Sequence, residues 1–227
     1  MILEKIKNGL IVSCQALENE PLHSSFIMSR MAKAAEEGGA AGIRANGVED
    51  IIAIRKETNL PIIGIIKQDY EDSDVYITPT TKEVNALLGT DCEIIALDGT
   101  NRTRPFETSL SELVDQIHDA GRLAMADISI LEEAIAAEKI GFDLVSTTMA
   151  GYTNYSGNLD EPAFGLIKKI KENIHLPVIM EGHTRSPEHV KQGLQLGAFA
   201  VVVGSIITRP QYITKLYTDI IKETKWI

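Results

Sequence analysis

The sequence predicts a (β/α)8 barrel of the α/β class, a TIM barrel, on three observations. Short runs rich in Val and Ile recur eight times, each followed by a segment with helical periodicity. Neighbouring runs end roughly 20–35 residues apart, the size of one βα unit. The runs are apolar throughout rather than alternating, as parallel strands covered on both faces read. An open doubly wound sheet is the rival arrangement, but it usually has fewer strands. No Pro/Gly/Ser-rich linker or low-complexity tract divides the chain, so residues 1–227 read as one barrel domain.

The elements follow in order. "ILEKIK" reads as a short N-terminal helix closing the barrel bottom. "GLIVSCQ" is the first strand, and "SFIMSRMAKAAEEGG" is a helix that stops at a Gly pair. "AAGIRAN" and "PIIGIIKQ" are strands two and three. The stretch "DYEDSDVYITPT" that follows is the longest irregular one, either a lid or a small hairpin. Thr80 stands three residues before Glu83, a capping-box spacing that Ser109 with Glu112 and Ser129 with Glu132 repeat. Strands four, five and six are "EIIALDGT", "RLAMADIS" and "DLVSTTMAG". "MAGYTNYSG" is then a loop over the barrel mouth or an ordinary surface loop. Asp160 is expected to open the next helix, "LDEPAFGLIKKIKENI". "PVIMEGHT" is strand seven, and Ser186 with Pro187 marks a helix start. "FAVVVGSI" is strand eight, and the last helix follows Pro210.

Composition narrows the function classes. The chain is 44% hydrophobic and 24% charged, an ordinary globular balance. Its net charge of −10 gives no sequence-wide reason to bind nucleic acid or an anionic membrane. An anionic ligand would need positive charge placed locally. Two cysteines, with no CxxC spacing, fit a reducing compartment. Cys14, in "LIVSC", reads as a buried strand-end thiol. The N-terminal residues lack a signal-peptide pattern and no apolar stretch reaches the ~18 residues of a membrane span, so the expected location is cytoplasmic.

In such a barrel, function is built at the C-terminal ends of the strands. The apolar runs end, in order, at Gln15, Arg44, Lys67, Asp98, Asp127, Thr147 with Thr148, Glu181, and the Gly204–Ser205 pair. One polar exit is ordinary solvation; a ring of them marks a pocket. Lys67 and Glu181 come from strands three and seven, across the ring from each other. A partly desolvated ammonium facing a carboxylate is an acid–base pair whose pKa values can be tuned towards neutrality. The plain alternative is a salt bridge that tightens the barrel top. Asp127 is placed to bind a hydroxyl or orient the lysine, and Arg44 to bind a carbonyl or a phosphate.

Gly182, Gly204 and Ser205 offer backbone N–H groups near helix starts, with Arg209 close in sequence. In many barrels the phosphate site lies after strands seven and eight. The five histidines show no HxH or HExxH spacing, and there is no GxGxxG or Walker motif, so the residues call for neither a metal nor a nucleotide cofactor.

"GLIVSCQALENEPLHSSFIMSRMAKAAEEGGAAGIRAN" resembles the N-terminal signature of N-acetylmannosamine-6-phosphate 2-epimerases. "LPIIGIIKQDYEDSDVYITPT", "EIIALDGTNRTRP", "MADIS", "STTMAGYT", "EG" and "VVVGSIITRP" are similar to its later blocks, in the same order. The resemblance implies a barrel of the ribulose-phosphate-binding type without cofactors. It also implies interconversion of N-acetylmannosamine 6-phosphate and N-acetylglucosamine 6-phosphate, a step feeding sialic acid breakdown. It places the catalytic pair on Lys67 and Glu181 and the substrate contacts on Gln15, Arg44 and Asp127, with Thr148 beside them at the end of strand six. It places the phosphate contacts on Gly182, Gly204, Ser205 and Arg209. His183 departs from the family pattern, which leaves only the backbone role expected there. Another sugar-phosphate isomerase or lyase, or a barrel that only binds a phosphosugar, are the alternative readings. Exposed apolar residues of the last helix, Trp226 among them, suit a homodimer interface.

Overall fold

The computed structural model describes residues 1–224, so Trp226 lies outside the described residues. Eight parallel strands close into a barrel in sequence order. They are β1 (Leu10–Cys14), β2 (Gly42–Asn46), β3 (Ile62–Ile65), β4 (Ile94–Asp98), β5 (Leu123–Asp127), β6 (Leu144–Ser146), β7 (Val178–Met180) and β8 (Ala200–Val203). Closure runs through β8 and β1, with Ile11 opposite Val202 and Val12 opposite Val203. The helices are α1 (Ile2–Ile6), α2 (Ser25–Glu37), α3 (Val48–Arg55), α4 (Thr81–Leu88), α5 (Leu110–Asp119), α6 (Leu131–Ile140), α7 (Phe164–Asn173), α8 (Pro187–Gln195), α9 (Ser205–Thr208) and α10 (Pro210–Glu223).

The two-residue period of each strand splits its side chains between two cores. Val12, Ile43, Ile62, Ile95, Val145 and Val201 face outward and pack with Met28, Ile51, Leu87, Leu113 and Ile167 from the helices. Ile11, Ile63, Ile94, Met125, Leu144, Ile179 and Val202 fill the interior. Both faces are buried, which is why the runs show no polar alternation. Ile6 of α1 joins the interior cluster, with Ile2 and Leu3 against it, so the short first helix plugs the bottom as expected.

The same period carries polar groups into the mouth. Two residues beyond the inward-facing Ile11, Ile65, Met125, Ile179 and Val202 stand Ser13, Lys67, Asp127, Glu181 and Gly204. Arg44 lies beside Ser13 and Ile63 in register, so it shares their inward face. It is not the end of its strand: β2 continues to Asn46.

Helix starts agree in part with the sequence reading. Thr80 and Glu83 form the expected capping box, and Ser109 caps α5. Ser186 accepts from the His189 N–H, with Pro187 in the first turn of α8. The pairing of Ser129 with Glu132 is off by one residue. Glu133 accepts from the N–H groups of Ser129 and Ile130 and from the Ser129 hydroxyl, because helix α6 begins only at Leu131. Asp160 does not open α7, whose first residue is Phe164 after Pro162. Among the described residues no helix is long and apolar enough to cross a membrane.

Candidate active site

A cavity of about 420 Å³ opens at the C-terminal ends of the strands. This suits a ligand of sugar-phosphate size. Gln15, Arg44, Lys67, Thr148, Glu181, Gly182, Gly204, Ser205 and Arg209 all line it. Asp127 is fully buried and is not among the lining residues. Asp98 is likewise buried. Its carboxylate is taken up by the Thr100 hydroxyl and by Arg102, so it serves the loop after β4.

Arg44 organises the floor. Its Nη1 and Nη2 donate to the two oxygens of Asp127 at 3.0 and 2.5 Å. Nη1 also lies 2.5 Å from Glu181 Oε2 and 3.2 Å from Thr148 Oγ1. Its Nε–H is buried and finds no acceptor among the described residues. Burial alone would lower the pKa of this guanidinium, but Asp127 and Glu181 outweigh it and push it up, so Arg44 is a fixed cation. The Thr148 hydroxyl lies 2.7 Å from Asp127 Oδ1 and 3.1 Å from Glu181 Oε2, and has one proton to give.

Lys67 has no salt-bridge partner among the described residues, so the salt bridges of the floor belong to Arg44. The Lys67 pKa falls from an ordinary 10.5 to about 8. Burial is the main cause, with Arg44 and Arg209 helping; Glu181 and Asp127 pull the other way without cancelling it. Its backbone N–H donates to Asn46 Oδ1 at 2.8 Å, which ties the end of β3 to the end of β2. The Glu181 carboxyl is held above the usual carboxylate range by burial, against the pull of Arg44 and with the help of Asp127. Its backbone exchanges hydrogen bonds with the Thr147 hydroxyl at 2.9 and 3.1 Å, which fixes the end of β7 against β6.

The other end of the cavity is made of backbone. The N–H groups of Gly182, Gly204 and Ser205 bond no backbone carbonyl among the described residues. Gly182 has φ +100, a conformation that only glycine adopts without strain. Arg209 stands at the rim, held by Glu20 at 2.9 Å and reaching Ser205 Oγ at 3.3 Å. Gln15 donates to Ser13 Oγ at 2.9 Å.

Sequence reasoning missed Ser13, Tyr76 and Arg185, which also line the cavity, as does Tyr152 on the loop read as lying over the mouth or on the surface. Ser13 was within reach, since it shares the parity of Ile11. Tyr76 was not, because it arrives on the stretch after β3. That stretch is a hairpin folded onto the barrel: Lys67 faces Ile77 across an antiparallel bridge, and the Asp98 N–H donates to the Ile77 carbonyl. The loop after β6 brings Tyr152 over the mouth, stacked on His183 with ring centroids 5.0 Å apart. Among the described residues no cluster of three His, Cys, Asp or Glu side chains is arranged to hold a metal ion.

The family model described as "Putative N-acetylmannosamine-6-phosphate epimerase" (NanE) matches residues 28–223. The chain belongs to the NanE family. A relative from Clostridium perfringens strain SM101, named "Putative N-acetylmannosamine-6-phosphate 2-epimerase", is 59% identical over 221 residues, covering 97% of this chain and all of the relative. One of the same name from Clostridioides difficile strain 630 is 58% identical, covering 97% of this chain and 99% of the relative. The solved N-acetylmannosamine-6-phosphate 2-epimerase of Clostridium perfringens superposes on this chain with a TM-score of 0.96 at 59% identity, over 97% and 96% of the two chains. Thiamine phosphate pyrophosphorylase from Pyrococcus furiosus shares the fold at 18% identity, with a TM-score of 0.63.

Proposed function

We propose that this NanE-family protein is an isomerase that interconverts N-acetylmannosamine 6-phosphate and N-acetylglucosamine 6-phosphate at C2. The observation that carries this reading is Lys67: a cavity-lining lysine without an ion-pair partner among the described residues, with a pKa of about 8. At neutral pH roughly a tenth of such a lysine is neutral and able to accept a proton. In the open-chain sugar, C2 lies next to the C1 aldehyde, so its hydrogen is acidic. Lys67 removes it, and charge builds on the C1 oxygen. Arg44 stabilises that charge from a geometry already set by Asp127, so no reorganisation is needed as the charge develops. Glu181, held above the usual carboxylate range, assists ring opening or returns the proton on the opposite face. The phosphate is held by the free N–H groups of Gly182, Gly204 and Ser205, with Arg209 supplying local positive charge. Gln15 and Thr148 contact the sugar. No step draws on a metal or a nucleotide.

Support comes also from the relatives' names and from the full-length match to the solved epimerase. A phosphorylated sugar does not cross a bilayer unaided, which fits a cytoplasmic enzyme of amino-sugar catabolism. The net charge of −10 gives no sequence-wide attraction to nucleic acid or an anionic membrane. We read the protein as a homodimer, because α10 buries none of its residues and exposes Leu216, Tyr217, Ile220 and Ile221. Light scattering across a dilution series is expected to show a dimer; a monomer throughout removes that reading.

The test of the activity is proton NMR with N-acetylmannosamine 6-phosphate in D2O. Product carrying deuterium at C2 establishes deprotonation at that carbon. Product without deuterium keeps epimerisation but requires a proton shuttled out of contact with solvent. An unchanged sugar refutes the activity and directs the search to other phosphosugars.

A further inference from the structure

Tyr76 stands on the hairpin that follows β3. Its phenol lines the cavity, yet the one hydrogen bond it makes among the described residues is to Met149 Sδ at 3.7 Å, a weak acceptor. A tyrosine hydroxyl brought into a protein interior ordinarily finds a proper partner. The residue is held firmly: the Gln68 N–H donates to its carbonyl at 2.9 Å, and its neighbours Val75 and Ile77 are buried. So a hydrogen-bonded hairpin holds the Tyr76 ring at the cavity, with its hydroxyl beside the buried Met149.

Its place in the ring decides what it meets. In a closed barrel of eight strands in sequence order, β3 and β4 lie opposite β7 and β8. The backbone N–H groups of the proposed phosphate site follow β7 and β8. Tyr76 stands on the far wall, on the hairpin that leaves β3 at Lys67 and hydrogen-bonds to the end of β4. A hexosamine 6-phosphate spanning the mouth puts C6 on one side and C1 and C2 on the other. Lys67 then reaches C2, and the group next to C2 on that wall is the 2-acetamido substituent. Its needs match what is there: a donor for its carbonyl, and apolar surface for its methyl. Ile65, the last residue of β3, and Ile77, next to Tyr76 on the hairpin, line the cavity. The C1 oxygen has its own cation in Arg44.

We propose that Tyr76 recognises the acetamido group, its hydroxyl donating to the acetamido carbonyl while the methyl packs on Ile65 and Ile77. Tyr76 is then the residue that separates 2-acetamido sugars from plain hexose 6-phosphates. The phenol is a good neutral donor for this: burial, then Asp127 and Asp98, push its pKa up to about 12, so it holds its proton across the working range. The inference deepens the epimerase reading and rests on it.

Tyr76→Phe removes the hydroxyl and keeps the ring. The expected result is a KM for N-acetylmannosamine 6-phosphate raised about tenfold, with kcat within about threefold of the parent. Inhibition by glucose 6-phosphate, which has no acetamido group, is expected to stay unchanged. An unchanged KM overturns the proposal, as does a fall confined to kcat. So does an equal weakening of glucose 6-phosphate, which would show that Tyr76 serves the ring or the fold. If glucose 6-phosphate proves too weak a ligand to measure, the KM and kcat split decides. If the parent protein turns over no N-acetylmannosamine 6-phosphate, the epimerase reading itself fails. If the parent is active and the variant matches it, only the Tyr76 assignment fails.

Discussion

Asp127 never reaches the cavity; it grips Arg44 from behind, oxygen to nitrogen twice, at 3.0 and 2.5 Å. Both side chains are almost wholly buried, at 1% and 0% exposure. The contact spans 83 residues of sequence and joins β2 to β5 across the barrel interior. An arginine so deep is stable only with its carboxylate in place. Asp127→Asn is therefore expected to lower stability by about 3 kcal/mol, or roughly 10 °C in Tm for a chain of this size. It should also cost on the order of a hundredfold in kcat, because Arg44 loses its fixed position. Thermal unfolding followed by circular dichroism checks the first effect. A Tm within a degree or two of the parent would show that Arg44 does not depend on Asp127.

The pKa of Lys67 predicts the pH dependence of turnover. A base must be neutral to act, so kcat/KM is expected to rise with pH through a midpoint near pH 8 and level off above it. Lys67→Ala should remove that limb together with nearly all activity. Near-normal turnover in Lys67→Ala would assign the base elsewhere.

The same depressed pKa has a cost in stability. The unfolded chain holds the Lys67 proton up to pH 10.5, the folded one only to about 8. Between those values the unfolded state holds a proton that the folded state has lost, so a rise in pH disfavours the unfolded state and folding becomes more favourable. Below pH 8 the parent carries the full penalty, on the order of 3 kcal/mol before any allowance for residual solvation. Lys67→Met is expected to be inactive but more stable at pH 7, by several degrees in Tm, with the gain fading by pH 10.5. A gain that does not change with pH would trace to packing instead.

Glu181 offers a different split. Its carboxylate bonds Arg44 and lies beside Thr148, while the N–H of the next residue belongs to the phosphate end. Glu181→Gln keeps the backbone and the hydrogen-bonding shape, so KM is expected to change less than about threefold while kcat falls by 10² or more. Steady-state kinetics decides; a change confined to KM would make Glu181 a binding residue.

Much of the barrel was legible because parallel strands buried on two faces leave an unbroken apolar signature, and because Thr80 and Ser186 mark helix starts chemically. Asp160 misled, since an acidic residue before a helical pattern resembles a cap even when Pro162 delays the first turn to Phe164. Lys67, Glu181 and Arg44 were found because each breaks an apolar run. Tyr76 was not, because an aromatic residue in an irregular stretch carries no period and its position depends on how the loop folds back.

By itself, then, the sequence determined the strand count, the order of units and most of the polar groups delivered to the mouth. These follow from local periodicity and from where hydrophobic runs stop. The tertiary structure alone decided how those groups pair. It gave Asp127 to Arg44 rather than to the cavity, left Lys67 without a counter-ion among the described residues, and folded the hairpin so that Tyr76 lines the cavity with it. The physical reason is that pairing and pKa depend on distance and burial between residues far apart in the chain, and those are set only when the ring closes.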